Sequence, residues 1–322
     1  MLSKTRLLLV LLLMNSPIPW ASAQEKYPVK PLSFSVPLPP GATVDILARL
    51  YGDKLSQRLG QPVTVANRTG AGGVIASDYV VKANPDGYTL LFGNSQHSIN
   101  AGLLPNLPYD SMRDFSGVAM VAEAPSLVVV NPEVGVRTLR EFIALAKKRP
   151  GFINFGAGAA GTSTHMAGAD FANFAEIQLT HVPYGGGGII PDLISNRIQA
   201  MFVPVAFLQS QIREGKLLAL AVTSPEPLKI PFNVPSAQES GLPGYSYSSW
   251  YGLLASSKIP RPVLVRLAGE MQQISDEVDI REKLQSQGII PRKMALQEFD
   301  VFIRSDIGRI GALIKAAGIK AQ

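Results

Sequence analysis

The chain has 322 residues, no cysteine and a formal net charge of +6 at pH 7. The lack of cysteine excludes disulfides, thiolate catalysis and zinc–thiolate sites, and it also excludes lipid attachment at a leader cysteine. The charge is mild and scattered rather than gathered into a basic stripe with interleaved aromatics, so nucleic acid is not an indicated partner. A length of this order predicts two domains.

Residues 1–23 have the pattern of a secretion signal. Lys4 and Arg6 give a charged start, an apolar run follows, and Ala21-Ser22-Ala23 is a small-residue cleavage site, so we expect the mature chain to start at Gln24. The apolar run is far shorter than the ~20 residues of a membrane-spanning helix. The mature chain would keep 28 basic and 24 acidic residues, a net charge of +4, and we expect a soluble periplasmic protein.

Short apolar runs alternate with helical patterns along the first part of the mature chain. Such alternation predicts an α/β fold, with parallel sheets that carry helices on both faces. In chain order, the pattern predicts a strand at 32–36, a helix at 43–59, a strand at 63–66, a helix at 73–82 and a strand at 88–92.

The same alternation continues through the second part. The segment Thr138-Leu139-Arg140-Glu141 is a capping box that begins a helix reaching about residue 148. Two extended segments, near 122–126 and near 247–251, would connect two lobes as a hinge. The predicted lobes are residues 24–123 with 250–322, and residues 124–249. The further predicted elements are strands at 126–130, 153–155, 179–182, 200–203, 218–223 and 250–255, helices at 165–174 and from about 191, and a mostly helical tail at 263–317.

Four loops follow the carboxyl ends of predicted strands, which is where open parallel sheets bind their ligands. Pro37–Asp45 and Gly93–His97 belong to the first lobe, and Gly156–His165 and Pro183–Gly188 to the second. We therefore expect these loops to face each other across a cleft.

The loop from Phe155 to His165 is rich in small residues and opens a helix. Such a loop leaves free N–H groups at the positive end of the helix dipole, which is an anion site. Its spacing reads G-x-G-x-x-G, but no acidic residue follows the next strand to hold a dinucleotide ribose. The hydroxyls of Thr162, Ser163 and Thr164 suit a carboxylate or another small oxyanion. The alternative is a strand–helix turn with hydroxyl caps and no ligand.

Many short motifs follow one another in order along the mature chain. They are Pro39-Pro40-Gly41 with Asp45-Ile46-Leu47-Ala48-Arg49, Asn67-Arg68, Gly70-Ala71-Gly72-Gly73, Pro85-Asp86-Gly87-Tyr88-Thr89-Leu90, His97 with Ile99-Asn100, Leu107-Pro108-Tyr109-Asp110, Gly161-Thr162-Ser163 with His165, His181-Val182-Pro183-Tyr184, Gly215-Lys216-Leu217, Ala219-Leu220-Ala221-Val222-Thr223-Ser224 and Ser249-Trp250-Tyr251-Gly252-Leu253-Leu254-Ala255. With this series the chain resembles the Bug (TctC-like) extracytoplasmic solute receptors of tripartite tricarboxylate transporters.

The resemblance implies a two-lobed, type II periplasmic-binding-protein fold, with a mainly parallel sheet flanked by helices in each lobe and a two-strand hinge. It implies a monomeric receptor, not an enzyme, that needs no cofactor and delivers a small carboxylate-bearing solute to membrane permease subunits. Family ligands are held by backbone amides, hydroxyls and bridging waters in the first βα loop and in the glycine/hydroxyl loop.

The chain departs from the family pattern in three places. The second glycine of the usual P-P-G-G-x-x-D loop is Ala42, and Gly185 stands where lysine usually follows Val-Pro-Tyr. Val203-Pro204 stand where many members have Asp-Asn. The missing acid argues against an amino-acid ligand, and the missing lysine argues against a highly charged polycarboxylate.

The predicted ligand-binding residues lie in the four loops. Gly41 lets the backbone approach the ligand or forms an ordinary turn. Asp45 complements the helix dipole or fixes loop shape or water, since a carboxylate would repel an anionic ligand. Asn94 and Ser95 bind the ligand or cap their loop, and Tyr184 lines the cleft or lies in the core or rim. The full predicted set is Gly41, Ala42, Thr43, Asp45, Asn94, Ser95, Gly161, Thr162, Ser163, Tyr184 and Gly185.

The three histidines, His97, His165 and His181, lack the spacing of a helical metal pair, so no metal site is predicted. We expect His165 to steady the glycine loop.

Two other functions stay open. One is a ligand-loaded adaptor for a membrane sensor kinase. The other is a secreted hydrolase or isomerase, but its trio Ser163–His165–Asp170 lacks a G-x-S-x-G elbow and the required geometry.

Overall fold

The structure, a computed structural model, describes residues 27–320. The predicted signal sequence and its cleavage site lie outside the described residues. Within the described range, no helix combines the length and the hydropathy that a bilayer span requires.

The first half of the chain alternates strands and helices as the apolar pattern predicts. The first helix buries Leu47, Tyr51 and Leu55, which share one face, and it ends at Gly60, whose φ of 67° is left-handed. Glycine adopts this conformation without steric cost. The elements are β1 (Leu32–Val36), α1 (Thr43–Leu59), β2 (Val63–Asn67), α2 (Val74–Lys82), β3 (Thr89–Asn94) and α3 (Gln96–Leu103).

The middle of the chain continues the alternation after one long strand. The predicted capping box is confirmed, because the Thr138 hydroxyl accepts the Glu141 N–H while the Glu141 carboxylate accepts the Thr138 N–H. The elements are β4 (Phe115–Val130), α4 (Leu139–Lys148), β5 (Asn154–Ala157), α5 (Ser163–Phe174), β6 (Thr180–Pro183), α6 (Ile189–Ile194), β7 (Ala200–Pro204), α7 (Val205–Arg213) and β8 (Leu218–Val222).

The last part of the chain returns to the first half and ends in helices. Its strand β10 interrupts the helical tail that the sequence predicts. The elements are β9 (Ser248–Ser256), α8 (Arg261–Asp276), α9 (Val278–Gln285), β10 (Ile290–Ala295) and α10 (Gln297–Ala316).

The strands form one mixed sheet in the order β2-β1-β3-β9-β4-β7-β5-β6, and β8 and β10 also pair with β4. The pairs β1–β2, β1–β3, β5–β6 and β5–β7 are parallel. Every pair that includes β4 or β9 is antiparallel. The α/β prediction is confirmed, and the sheet is more mixed than the resemblance implies because these two strands run against their neighbours.

The strand β4 belongs to both halves of the sheet. Its first part, 115–125, pairs with β9, and its last part, 126–130, pairs with β7 and β8. Where it crosses, the Thr223 hydroxyl accepts the Ser126 N–H (2.8 Å) and donates to the Tyr247 carbonyl (2.6 Å). The two crossing segments predicted from the sequence therefore meet at one buried threonine.

The core divides into groups that follow the two halves of the sheet. Phe34 and Tyr51 belong to the first half and Phe171 to the second. The helix α10 packs against both, because Phe299 lies in a first-half group and Ile310 in a second-half group. The sequence-based division assigns all of 250–322 to the first lobe, whereas the packing shares this helix between the halves.

Candidate functional site

The loop before α1 is shaped by Asp45. One carboxylate oxygen of Asp45 accepts the Gly41 N–H (2.9 Å), and the other accepts the Asn67 side-chain N–H (2.9 Å). Arg49 binds both oxygens, at 3.1 and 2.9 Å. Burial alone would raise the pKa of Asp45, but these hydrogen bonds outweigh it and hold the pKa below its ordinary value. The carboxylate therefore serves the shape of its own loop.

The start of α1 leaves main-chain donors available. The N–H of Ala42 donates to the Pro39 carbonyl (3.2 Å), whereas within residues 27–320 no acceptor pairs with the N–H of Thr43 or Val44. Gly41, with φ 85°, has no heavy atom within 4 Å of the place where a Cβ would stand. A ligand can approach this helix start closely.

The end of β3 lies beside this helix start. Asn94 pairs with Tyr251 of β9. Burial raises the pKa of Tyr251 to about 12, against a smaller lowering by a hydrogen bond with the Thr43 side chain. The Asn94 side chain accepts the Gln96 N–H (3.3 Å), and the Ser95 hydroxyl accepts the Trp250 N–H (2.8 Å). Both side chains are buried. Asn94 makes the local loop contact of the capping alternative, whereas Ser95 bonds the neighbouring strand β9.

The glycine/hydroxyl loop opens α5 as the sequence predicts. Thr162 is the N-cap, and its hydroxyl accepts the His165 N–H (3.4 Å). The Thr164 hydroxyl accepts the Gly158 N–H (3.2 Å). In the described part of the chain, no acceptor pairs with the N–H of Ser163 or Thr164. These two donors, with the Ser163 hydroxyl, form the open positive end of the helix.

Gly161 is buried and engaged on both sides of its peptide. Its N–H donates to His165 Nδ1 (3.1 Å), and its carbonyl accepts a hydrogen bond from Gln96 Nε2 (3.0 Å). A Cβ at this position would stand 2.1 Å from the Leu103 side chain. Gly161 therefore determines the shape of the loop, and its main-chain groups are not free for a ligand.

Gln96 joins the two halves at this point, and Tyr247 contacts the glycine/hydroxyl loop within the second half. Gln96 Nε2 also donates to Asn100 Oδ1 (2.9 Å), and Asn100 Nδ2 donates to the Gly72 carbonyl (2.9 Å). Tyr247 donates its hydroxyl to the Ser163 carbonyl (3.4 Å). No role for Gln96 or Tyr247 is predicted from the sequence. The spacing of two amides four residues apart on α3 was the available signal.

The fourth loop lies next to the glycine/hydroxyl loop. The Tyr184 N–H donates to the Ala157 carbonyl at the end of β5 (2.8 Å). The Tyr184 hydroxyl donates to Asp192 of α6 (2.7 Å), and burial, followed by this bond, raises the pKa of Tyr184 to about 12. Gly185 is exposed and has free space around its Cα. Tyr184 therefore anchors the loop, and the glycines leave it open.

One cavity lies next to α5 and β6 rather than at the helix start that carries Ser163. It has a volume of about 610 Å³, and His165, His181, Gln178 and Ala316 are among its lining residues. None of the predicted ligand-binding residues lines this cavity. Within the described chain, no group of three acidic or histidine side chains is arranged to hold a metal ion.

Two buried histidines should make the stability of the fold depend on pH. Burial lowers the pKa of His97 and His165 from the ordinary value of 6.5 to about 4. Between pH 6.5 and pH 4, each histidine is therefore protonated in the unfolded chain but not in the folded chain. The free energy of unfolding should fall by up to ~3 kcal/mol per histidine as the pH drops through this range. Asp170 opposes this, because burial raises its pKa to about 6.

Urea unfolding at pH 7, 5.5 and 4.5 measures this dependence. We expect a net loss of stability toward acid, since two histidines outweigh one carboxylate. His97→Gln should reduce the slope, and Asp170→Asn should increase it. Stability that stays level from pH 7 to pH 4.5 would contradict the assignment.

The geometry brings three of the four predicted loops into direct connection. Asp170 binds Arg309 (3.2 Å) and His165 Nδ1 binds Gly161, so neither serves the hydrolase trio. The open N–H groups and hydroxyls suit a small anion, which helix starts bind through unpaired N–H groups and the dipole.

A model of the "Tripartite tricarboxylate transporter family receptor" (TctC) matches residues 47–319. The chain belongs to the TctC family. A curated relative, the "UPF0065 protein in tcbD-tcbE intergenic region" of Pseudomonas sp. (strain P51), is 36% identical over 84% of this chain and 81% of its own length. The protein BugT of Bordetella pertussis is 32% identical and is covered over 92% of both chains. The recognised family is thereby confirmed.

Solved TctC-type structures share this fold. The R. palustris protein Rpa4515 with adipate superimposes with a TM-score of 0.81, at 28% identity, over 91% of this chain and 99% of its own. The periplasmic binding protein BugD gives 0.78, at 25% identity, over 92% and 100%. MatC from Rhodopseudomonas palustris with bound malate gives 0.75, at 28% identity, over 89% and 100%. The two-lobed binding-protein fold and the prediction of a solute-binding protein rather than an enzyme are confirmed.

Proposed function

We propose that this TctC protein captures a small carboxylate-bearing solute between the two halves of its fold. The observation that carries the proposal is the contact of loops from opposite halves. Gln96 Nε2 reaches the Gly161 carbonyl at 3.0 Å, directly beside the open N–H groups of Ser163 and Thr164. Convergent donors of this kind offset the dehydration of an anion.

The proposed ligand-binding residues are those predicted from the sequence, and they have three different roles. Thr43 and Ser163 supply hydroxyls and main-chain N–H groups, and Gly41 and Gly185 give a ligand room. Asp45 holds its loop in shape, and the same role falls to Ala42, Asn94, Ser95, Gly161, Thr162 and Tyr184. The carboxylates named with the solved relatives, adipate and malate, agree in chemistry with a site of this kind.

The solute class follows from the charges around the loops. Gly185, the first of four consecutive glycines, stands where the family resemblance implies a lysine, and both oxygens of the Asp45 carboxylate are already bound within its loop. An anion here is held by neutral donors and a helix dipole, which suit one or two carboxylates better than three. We therefore infer a mono- or dicarboxylate.

We also propose the division into lobes, export and delivery. The lobes are residues 24–123 with 250–322, and 124–249, joined through β4 and β9, with α10 packed on both. A signal peptide, residues 1–23, is removed on export to the periplasm, and permease subunits of a tripartite tricarboxylate transporter receive the solute. The family description and the periplasmic relative support this.

Thermal unfolding in the presence of single acids tests the proposal. The panel contains acetate and benzoate, adipate and malate, and citrate. A ligand at 100 times its Kd stabilises the folded protein by ~2.7 kcal/mol, so one class should raise Tm by several degrees. A panel in which no acid raises Tm, followed by native mass spectrometry that finds no retained organic anion, would contradict the proposal.

Removal of one hydroxyl tests the site. Ser163→Ala should weaken binding of the best acid about tenfold, because one hydrogen bond to a charged group is lost. Ser305→Ala, at an exposed position on α10, is the matched control and should leave Kd unchanged. Calorimetric titration measures both. Equal Kd values for the two variants would place the carboxylate elsewhere.

A further inference from the structure

Two imidazoles lie face to face under the glycine/hydroxyl loop. His165 is in the first turn of α5 and His181 is in β6, and their ring centroids are 3.9 Å apart at an interplanar angle of 30°. Phe155 of β5 stacks on His165 at 6.0 Å and lies 5.3 Å from His181. The strand register of β5 and β6, which pairs Phe155 with His181, brings this group together.

Each imidazole holds one end of the segment 158–161. His165 Nδ1 accepts the Gly161 N–H (3.1 Å), and His181 Nε2 lies 3.0 Å from the Gly158 carbonyl, to which it must donate because a carbonyl only accepts. The first bond requires an Nδ1 without a proton, and the second requires a proton on Nε2. A neutral ring with its hydrogen on Nε2 satisfies both requirements.

The surroundings of the rings favour this neutral form. His165 is buried, and burial, followed by the charge of His181, lowers its pKa. Two cationic rings at this separation would repel each other. A cationic His165 would also turn its acceptor into a donor that faces the Gly161 N–H. The pair therefore supports the loop as neutral rings.

These two bonds decide which donors of the loop face outward. They occupy the Gly161 N–H and the Gly158 carbonyl on the inner side, so the carbonyl is turned away from an anion that would be repelled by it. The N–H groups of Ser163 and Thr164 are among the loop donors that have no acceptor within residues 27–320.

We propose that His165 and His181 are positioning residues that, as neutral Nε2–H tautomers, hold the glycine/hydroxyl loop in its anion-binding shape without touching the ligand. This inference rests on the proposed function for its consequence in binding. Its structural content, the tautomers and the two hydrogen bonds, does not depend on any ligand.

Amide side chains can replace each imidazole nitrogen selectively. The side-chain end of Asn reaches the position of Nδ1, and that of Gln reaches the position of Nε2. His165→Asn therefore keeps an acceptor for Gly161, whereas His165→Gln misplaces it. At position 181 the order is reversed, because His181→Gln keeps the donor to Gly158 and His181→Asn loses it. Each position thus has its own matched control.

We expect His165→Asn and His181→Gln to bind adipate or malate, whichever raises Tm more, within about threefold of the unchanged protein. His165→Gln and His181→Asn should bind about tenfold or more weakly, the equivalent of one lost hydrogen bond. Equal losses for Asn and Gln at both positions would overturn the proposal, since the rings would then act only by filling space.

Nitrogen-15 NMR of the unchanged protein gives a ligand-free readout. With three histidines in the chain, the ring signals can be assigned by substitution. We expect Nε2–H tautomers at His165 and His181, and a Gly161 amide that exchanges with solvent about tenfold or more faster in His165→Gln than in His165→Asn. An Nδ1–H tautomer at His165 would overturn the proposal. Expected tautomers with no binding of either acid would count against the proposed function alone.

Discussion

Gly161→Ala should weaken carboxylate binding by at least about tenfold and lower the free energy of unfolding by about 2–4 kcal/mol. The φ of 81° at this buried position strains any residue with a Cβ by about 1 kcal/mol. The added methyl would stand 2.1 Å from Leu103, an overlap that typically adds about 1–3 kcal/mol. Relief of the overlap would move the loop away from α3 and break the contact between the halves.

Two controls separate the causes of that effect. Gly135→Ala has nearly the same φ, 80°, with no atom within 4 Å of its Cβ, so it should lose only the ~1 kcal/mol of backbone strain and leave binding unchanged. Leu103→Ala in the Gly161→Ala background should recover part of both losses. Urea unfolding and calorimetric titration measure them. If Gly161→Ala behaves like Gly135→Ala, the tight contact with α3 is not present in solution.

Thr223→Val should be among the most destabilising single changes, with a loss of about 2–6 kcal/mol. Thr223 is fully buried, and its hydroxyl serves the Ser126 N–H and the Tyr247 carbonyl, one on each crossing segment. Valine has nearly the same shape but leaves both main-chain groups buried without a partner, at about 1–3 kcal/mol each. Equilibrium unfolding in urea measures the loss.

Thr223→Ser is the control for this change, because it keeps the hydroxyl and removes only a methyl group. It should lose less than half as much stability as Thr223→Val. The reverse order would show that packing, and not the two hydrogen bonds, holds the crossing. We further expect Thr223→Val to weaken ligand binding, since Tyr247 also contacts the Ser163 carbonyl.

The strand β9 and the residue before it connect the crossing to the candidate site. Tyr247 reaches Ser163, Trp250 binds the Ser95 hydroxyl, and Tyr251 pairs with Asn94. Trp250 also donates its ring N–H to Asp306 of α10 (3.0 Å). The Tyr247 contact lies within the second half and the Trp250 and Tyr251 contacts lie within the first, so one segment of chain links the crossing to site residues of both halves.

Local pattern was sufficient for the elements whose causes lie within a few residues. The helix of Thr43–Leu59, the capping box at Thr138 and the loop before Ser163 each follow from spacing, capping side chains and glycine. These features require no partner from elsewhere in the chain. The strand β10 was not predicted, because the sequence of Ile290–Ala295 is too polar to indicate a strand. This segment becomes a strand by pairing with β4.

For this protein, the sequence by itself determined the α/β alternation, the four candidate loops and the family. Only the tertiary structure decided which loop groups remain free. Gly161 lies in a loop whose small residues are typical of an open anion site. In the fold, however, its N–H is bound by His165 of α5, and its carbonyl is bound by Gln96 of α3. The spacing of residues along a chain predicts local conformation, whereas the partners of a hydrogen bond depend on which distant elements pack together.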